Sequence, residues 1–287
     1  MISETKKQIY ELIKKSANPL ILIPGRSNLD MASGALGLFL MFKKLNKSPQ
    51  IVSLAPLSDK FLFLPEAKSI GGNISNEAVF KVAVNVAKND LKQVSYDQEN
   101  DLLNIYLTVK KGKIKIDSAM LDGVKFKYDL IIVLGFQNLN SLGRIYFENR
   151  DIFSNVPIVN IDYSAANERF GAVNLTEATP ADMALTIAEI IKDILLSEID
   201  AKTATLLLAS VISVTDNFQA PRIHSKLFAL AASLIDRGAE REEIIKHLYE
   251  FKTGTNLSAV ATNIAATNIP GAILKKKSDM RPGRISG

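Results

Sequence analysis

Cysteine and tryptophan are absent from this 287-residue chain, and histidine occurs only at His224 and His247. The lack of cysteine excludes disulfides, thiolate metal sites and a cysteine nucleophile. Two histidines are too few for a histidine-rich metal centre and for most histidine acid–base schemes. No apolar run is long enough to cross a bilayer. The N-terminal MISETKKQIYELIKKS is amphipathic rather than signal-like. These absences fit a cytoplasmic protein with no membrane association. The body of the chain also lacks a net basic charge. Its net charge is +5, but residues 275–287 alone hold Lys275, Lys276, Lys277, Arg281 and Arg284 against Asp279. The rest of the chain is almost neutral, so the basic balance belongs to a tail, and such runs are usually solvated ends.

What is present is an ordinary globular composition, 47% hydrophobic and 23% charged, on a chain long enough for a sizeable core. The stretch that organises it is residues 17–41. An apolar run from Leu20 to Ile23 breaks at Pro24-Gly25. Arg26-Ser27-Asn28 follows, then a helix start rich in small residues, with Asn28 as its cap and Asp30 in its first turn. This is a strand, a loop and a helix. In an open α/β sheet the loop leaving such a strand is where ligands sit.

Around it, residues 4–15 have helical spacing at Ile9, Leu12 and Ile13, and Gln50 to Leu54 reads as a second strand. Residues 79–117 change character. Phe80, Val82, Val84 and Val86 alternate with polar or small residues, as do Leu103, Ile105, Leu107 and Val109. Lys111-Gly112 reads as a turn, after which Ile114 and Ile116 continue the alternation. This predicts antiparallel hairpin strands with one wet face, inserted between parallel elements. The runs Asp129–Leu134 and Pro157–Ile161 are continuously apolar, as buried parallel strands are. A short helix is expected at 141–148. Thr179-Pro180 opens a long helix as cap and first position. Further helices are expected at 201–213, 223–236 and 240–251, with Gly238 as a terminator. The pattern loosens after Phe251. The fold class is therefore α/β: a mainly parallel sheet flanked by helices, an antiparallel insertion and a helical C-terminal part. The division is a domain at 1–252, then a connector and flexible basic tail at 253–287.

Chemistry is expected at the strand exits. The first carries Asn28 and Asp30. The exit after Leu134 carries Gly135, Phe136 and Gln137. The exit after Ile161 carries Asp162, Tyr163, Ser164 and then Asn167. On adjacent parallel strands, Asp30 and Asp162 face one crevice. Two carboxylates hold a hard divalent ion when waters or phosphates complete its shell, but are a poor two-metal site. Gly34-x-x-Gly37 is not a dinucleotide fingerprint and points to helix packing. Ser33 and Ser164 lack a nucleophile-elbow motif. Tyr146, Phe147 and Phe153 read as core or surface aromatics rather than a base-stacking platform.

On these motifs the chain resembles the DHH phosphoesterase superfamily over residues 18–251. That superfamily includes RecJ-like exonucleases, oligoribonucleases, cyclic-dinucleotide phosphodiesterases and manganese pyrophosphatases. In the family the first strand exits into a histidine and an Asp-x-Asp; here Pro24 takes the histidine position, and Asn28 and Asp30 the aspartates. The aspartate ending the next family strand is Gly135. The Asp-His-His is Asp162-Tyr163-Ser164. The Asn-x-x-Phe-Gly that follows is intact from Asn167 to Gly171. In the last motif Val211 stands for isoleucine and Val214 for aspartate, while Thr215 and Phe218 remain. The family's glycine-rich, histidine-containing C-terminal substrate domain has no counterpart here.

The resemblance implies a degenerate phosphoesterase, impaired or inactive, with motif remnants Asn28, Asp30, Asp162 and Asn167. Arg26, Asn28, Ser164 and Asn167 are its expected ligand-binding residues, for a nucleotide or short oligonucleotide. No metal ligands and no cofactor are expected on this reading. Two alternatives stay open. One is an active phosphoesterase on nucleotides or short oligonucleotides, using manganese or magnesium. The other is a structural subunit that forms homo-oligomers or binds a partner protein through the β insertion.

Overall fold

The computed structural model describes residues 3–250, apart from 26–28, 75–77, 85–90, 111–118, 196–197 and 222. The chain divides into two units, Met1–Arg241 and Glu242–Gly287.

The first unit opens with α1 (Glu4–Lys15), whose N-cap Ser3 accepts a hydrogen bond from the Lys6 amide and whose buried face carries Ile9 and Ile13. Strand β1 (Pro19–Ile23) is buried at every residue, as its unbroken apolar run requires. Next come α2 (Leu29–Lys44), β2 (Gln50–Ser53) and the two-residue β3 (Ile70–Gly71). The insertion holds four strands, β4 (Ala78–Val84), β5 (Leu91–Glu99), β6 (Leu102–Val109) and β7 (Ala119–Phe126). It therefore runs past residue 117, and β5 is a strand that the alternation pattern missed. The expected turn at Lys111-Gly112 and the strand at Ile114–Ile116 lie outside the described residues. Strand β8 (Leu130–Leu134), the short helices α3 (Arg144–Glu148) and α4 (Arg150–Asn155), and strands β9 (Ile158–Asp162) and β10 (Val173–Thr176) complete the sheet region. Helices α5 (Pro180–Leu195), α6 (Ala201–Val214) and α7 (Ser225–Ile235) follow. Thr179 caps α5 as its position predicts, accepting from the Asp182 amide at 3.1 Å.

The main sheet has the order β10-β9-β8-β1-β2-β3, and every pairing in it is parallel. Chain order thus runs outward from β1 in one direction and outward from β8 in the other. The reversal lies between β1 and β8, where Leu20 pairs with Ile131. Asp129, just before β8, ties this junction together. Its carboxylate accepts from Ser16 Oγ at 2.5 Å, from the Ala17 amide at 2.7 Å and from the Asn18 amide at 3.0 Å.

One face of the sheet packs under α2, which is buried from Leu29 to Phe42. Gly34 and Gly37 let neighbouring helices approach: a Cβ would sit 3.2 Å from Ile187 and 3.1 Å from Ile191 on α5. The glycine pair is thus a packing device, as its spacing predicts. The other face holds Leu20, Leu22, Ile131, Val133 and Ile158 against Leu142, Ile152 and Phe153 of the short helical segments. Strands β4–β7 and β5–β6 form two separate antiparallel ribbons. In the second unit the chain runs from α8 (Arg241–Ile245) into a π turn at Lys246–Glu250, with His247 Nε2 at 2.8 Å from Glu243 Oε1.

Candidate functional site

The carboxyl ends of β1, β8 and β9 lie side by side, with the reversal of strand order between the first two. That is the ligand-binding edge of an open α/β sheet. At the β1 exit, Gly25 is required by a close approach: a Cβ there would lie 2.6 Å from both the nitrogen and the Cβ of Ala55 after β2. Arg26 and Asn28, both expected to bind ligand, lie outside the described residues.

Asp30, in the first turn of α2, is only 4% exposed. Its Oδ2, like the Oγ of Ser33 one turn later, finds no hydrogen-bond partner among the described residues. Burial pushes the Asp30 carboxyl above the usual carboxylate range, and the backbone amides of Asp30 and Met31 offset part of that. Its carbonyl accepts from Ser210 Oγ of α6 at 3.4 Å.

Asp162 ends β9, and is buried but fully partnered. The Tyr163 amide donates to Oδ1 at 2.8 Å and Asn167 Nδ2 donates to Oδ2 at 2.8 Å. Asn167 Nδ2 also donates to the Phe136 carbonyl at 2.9 Å, and its Oδ1 accepts from Asn160 Nδ2 at 2.8 Å and from the Arg169 amide at 2.8 Å. Asn160 continues the network to Asn174 at 3.1 Å, and Asn174 makes two bonds to Gly171. A Cβ on Gly171 would meet the Val173 and Ile158 carbonyls at 2.8 and 2.9 Å. The intact Asn-x-x-Phe-Gly stretch is therefore a latch that fixes Asp162 and closes the β9–β10 connection. Sequence reading missed Asn160. The signal was there, a single polar residue inside the apolar run PIVNI.

Contrary to expectation, strands β1 and β9 are not adjacent, because β8 lies between them, and Tyr163 is the residue that feels both Asp30 and Asp162. Its hydroxyl is pushed up first by burial and then by the charges of Asp30 and Asp162. It stays protonated and is a donor at neutral pH. Ser164 closes the loop after β9. Its Oγ accepts from the Ala166 amide at 3.2 Å, and its carbonyl accepts from the Asn167 amide at 3.1 Å.

The β8 exit decides what the crevice can hold. Gly135 has φ +71°, and a Cβ there would lie 2.5 Å from Met31 Cε, 2.6 Å from Met31 Sδ and 3.6 Å from Pro24 Cγ. Where a side chain would begin, the thioether of Met31 already packs, with Pro24 beside it. Met31 is the residue that motif reading missed, because nothing in its local sequence distinguishes it from other core positions of α2. Among the described residues no three His, Asp or Glu side chains converge to hold a metal. The donors among the described residues, two carboxylates beside a thioether and a proline, do not fit a pair of hard divalent ions.

The last motif of the resemblance is also structural here. Thr215 Oγ1 donates to the Val211 carbonyl at 2.7 Å and accepts from the Phe218 amide at 3.1 Å. It thereby holds the three left-handed residues Asp216, Asn217 and Phe218 (φ 47°, 54° and 64°) that end α6. Phe218 stacks on Phe228 at 4.9 Å.

The raised Asp30 carboxyl has a measurable consequence. A group whose pKa is higher in the folded state contributes fully to stability below its unfolded value, about 4 for aspartate, and loses that contribution as pH rises through the folded value. Asp30→Asn stays neutral throughout. Urea midpoints of the two proteins are expected to lie closest near pH 4 and to diverge above it, with the variant the more stable. Parallel pH profiles would show that Asp30 ionises in the fold at no cost.

A parallel sheet with its crevice at the reversal of strand order defines the class, an open, doubly wound α/β protein. Among solved structures, an exopolyphosphatase-related protein from Bacteroides fragilis shares this fold with a TM-score of 0.61 at 12% identity, over 87% of this chain and 62% of its own. The chain thus spans a little under two thirds of that protein. A putative family II inorganic pyrophosphatase from Methanococcus jannaschii aligns over 80% of this chain and 61% of its own, at 16% identity. Its TM-score of 0.41 is too low to define a shared fold. The fold is therefore one that this chain shares with that exopolyphosphatase-related protein. No protein-family model and no curated protein sequence matches the chain. Among the described residues no helix is long and apolar enough to cross a membrane.

Proposed function

We propose that the chain is a cytoplasmic DHH-phosphoesterase-like protein that holds a phosphate-bearing ligand, a nucleotide or short oligonucleotide, in the β1/β8 crevice without hydrolysing it. The observation that carries this reading is the packing of Met31 against Gly135, which fills the place of a carboxylate that the resemblance assigns to metal. The remaining groups suit an anion better than a dication. The long helix α2 presents its N-terminus at the β1 exit. Burial raises the Asp30 carboxyl above the usual carboxylate range, and Tyr163 keeps its proton. Asp162 is already committed to Asn167 and the Tyr163 amide. Arg26 enters from the sequence alone, as a bidentate phosphate contact from the same loop.

Calorimetry tests this on the purified chain. Mono- and dinucleotides are expected to bind without added metal, and Arg26→Ala to weaken them by about tenfold. Manganese is expected to bind no better than to a generic pair of surface carboxylates. Tight binding of two manganese ions together with release of phosphate would overturn the reading in favour of an active enzyme. Failure of every nucleotide to bind would leave the crevice a structural relic.

A further inference from the structure

Strand β10 stands at one end of the main sheet, so its outer edge faces away from every other strand. The register against β9, with the Glu177 amide donating to the Asp162 carbonyl at 2.8 Å, shows which backbone groups point where. Direction alternates along a strand. Val173, Leu175 and Glu177 therefore turn their amides and carbonyls toward β9, and Asn174 and Thr176 turn theirs outward. Among the described residues no backbone group pairs with this outer edge. An open edge is a template for another strand.

Charge beside that edge says whose strand fits it. Helix α1 packs against β10, and the two border a groove of about 680 Å³. Glu4, Lys7, Gln8 and Glu11 line it from the helix, Ala172 and Val173 from the strand. The helix residues recur at helical spacing and are all exposed, and Lys15 continues the row one turn past Glu11. Within the row Lys7 pairs with Glu4 at 3.5 Å, both largely exposed, and such a pair exchanges partners at little cost. Reversed end to end against a copy of itself, the row sets Lys7 opposite Glu11 and Glu4 opposite Lys15. Aligned in parallel, it sets each charge against its like. The strand edge and the charged row border one groove, and both are self-complementary in the antiparallel sense that a twofold axis produces.

We propose that two copies of this chain associate edge to edge through β10, antiparallel about a twofold axis at Leu175. The outward amide and carbonyl of Asn174 pair with those of the partner's Thr176, and the reverse pairing repeats them. Leu175 meets its own copy in the close, non-hydrogen-bonded position. The α1 rows run side by side over the same axis, and the main sheet becomes continuous across the two copies. The interface is small beside the roughly 800 Å² per partner of a standard one, so the association is weak and depends on concentration. The proposal is independent of what the crevice binds.

Sedimentation equilibrium of the full chain is expected to show a reversible monomer–dimer equilibrium in the micromolar to high-micromolar range. Thr176→Pro removes an amide that points away from β9, where an edge strand tolerates proline. It is expected to weaken the dimer by about tenfold or more, since a shared backbone bond goes from each half of the pairing. Lys7→Glu and Glu11→Lys should each weaken it by about fivefold, because a like-charge contact then occurs twice. The double variant Lys7→Glu/Glu11→Lys should recover the parent's affinity, since the reversed row again opposes unlike charges. Circular dichroism unchanged from the parent verifies that each variant folds. A full chain that is monomeric at every concentration overturns the proposal, whether the edge stays bare or takes an extended peptide of another protein. So does a dimer that Thr176→Pro leaves as tight as the parent's. A double variant no tighter than the single ones overturns the antiparallel arrangement of the helices.

Discussion

Asn167→Leu is expected to cost about 3–5 kcal/mol of folding stability, read as a lowered urea midpoint, because it strands several buried polar groups at once. Asn167 uses all four of its hydrogen-bonding sites: two donors on Asp162 Oδ2 and the Phe136 carbonyl, two acceptances from Asn160 and Arg169. Leucine fits the volume and supplies none of them. Asp162 is 3% exposed and Asn160 fully buried, so water does not replace what is lost. An unsatisfied buried group costs about 1–3 kcal/mol, more if charged, and the Arg169 amide, at an exposed residue, is the one that solvent can serve. Asn167→Asp sharpens the test. It sets a second carboxylate at hydrogen-bonding distance from the first, so one of the pair must stay protonated. That variant should be least stable at high pH and recover as pH falls and a shared proton restores the bond. A loss under about 1 kcal/mol for the leucine variant would mean that the latch does not hold Asp162 in place.

Gly135→Asp is expected to cost about 3 kcal/mol or more at neutral pH, although it restores the residue type that the family resemblance assigns there. Three effects add. The backbone is left-handed at this position, which aspartate tolerates at a cost of about 1 kcal/mol. The new Cβ overlaps the end of Met31 at 2.5 Å. The carboxylate enters at a half-buried position, next to the β9 strand that ends in Asp162. Because the obstructing atoms are the far end of a flexible side chain, the clash is removable. Met31→Ala alone should cost about 2–5 kcal/mol as a cavity. The double variant should be more stable than the sum of the two losses predicts, by about 1–3 kcal/mol, because each change relieves the other. It should also bind manganese measurably tighter than the parent, having gained a third carboxylate. Strict additivity would show that Met31 does not occupy the space that aspartate needs.

Much of the fold was legible locally. The apolar runs Leu20–Ile23 and Leu130–Leu134, and Ile158–Ile161 with its one polar residue Asn160, are buried parallel strands, because a strand covered on both faces has no polar side to alternate with. Thr179-Pro180 is a helix start for reasons contained in those two residues. Where local signal was thin, reading failed. Strand β5, LKQVSYDQE, holds only Leu91, Val94 and Tyr96 as apolar residues and is exposed throughout, so its pattern is that of a loop. Strand β10 has four residues, too few for a period to emerge.

By itself the sequence determined the class of fold and the carboxylates at the strand exits. Those are properties of composition and short-range period. The tertiary structure decided what they mean. Only the strand order puts the exits of β1 and β8 on either side of one crevice. Only packing carries Met31 from α2 into the space beside Gly135, and only burial turns Asp30 from a solvated helix-start carboxylate into one with an unpartnered oxygen. Each depends on contacts between segments about a hundred residues apart, and no local pattern encodes the free energy of such contacts.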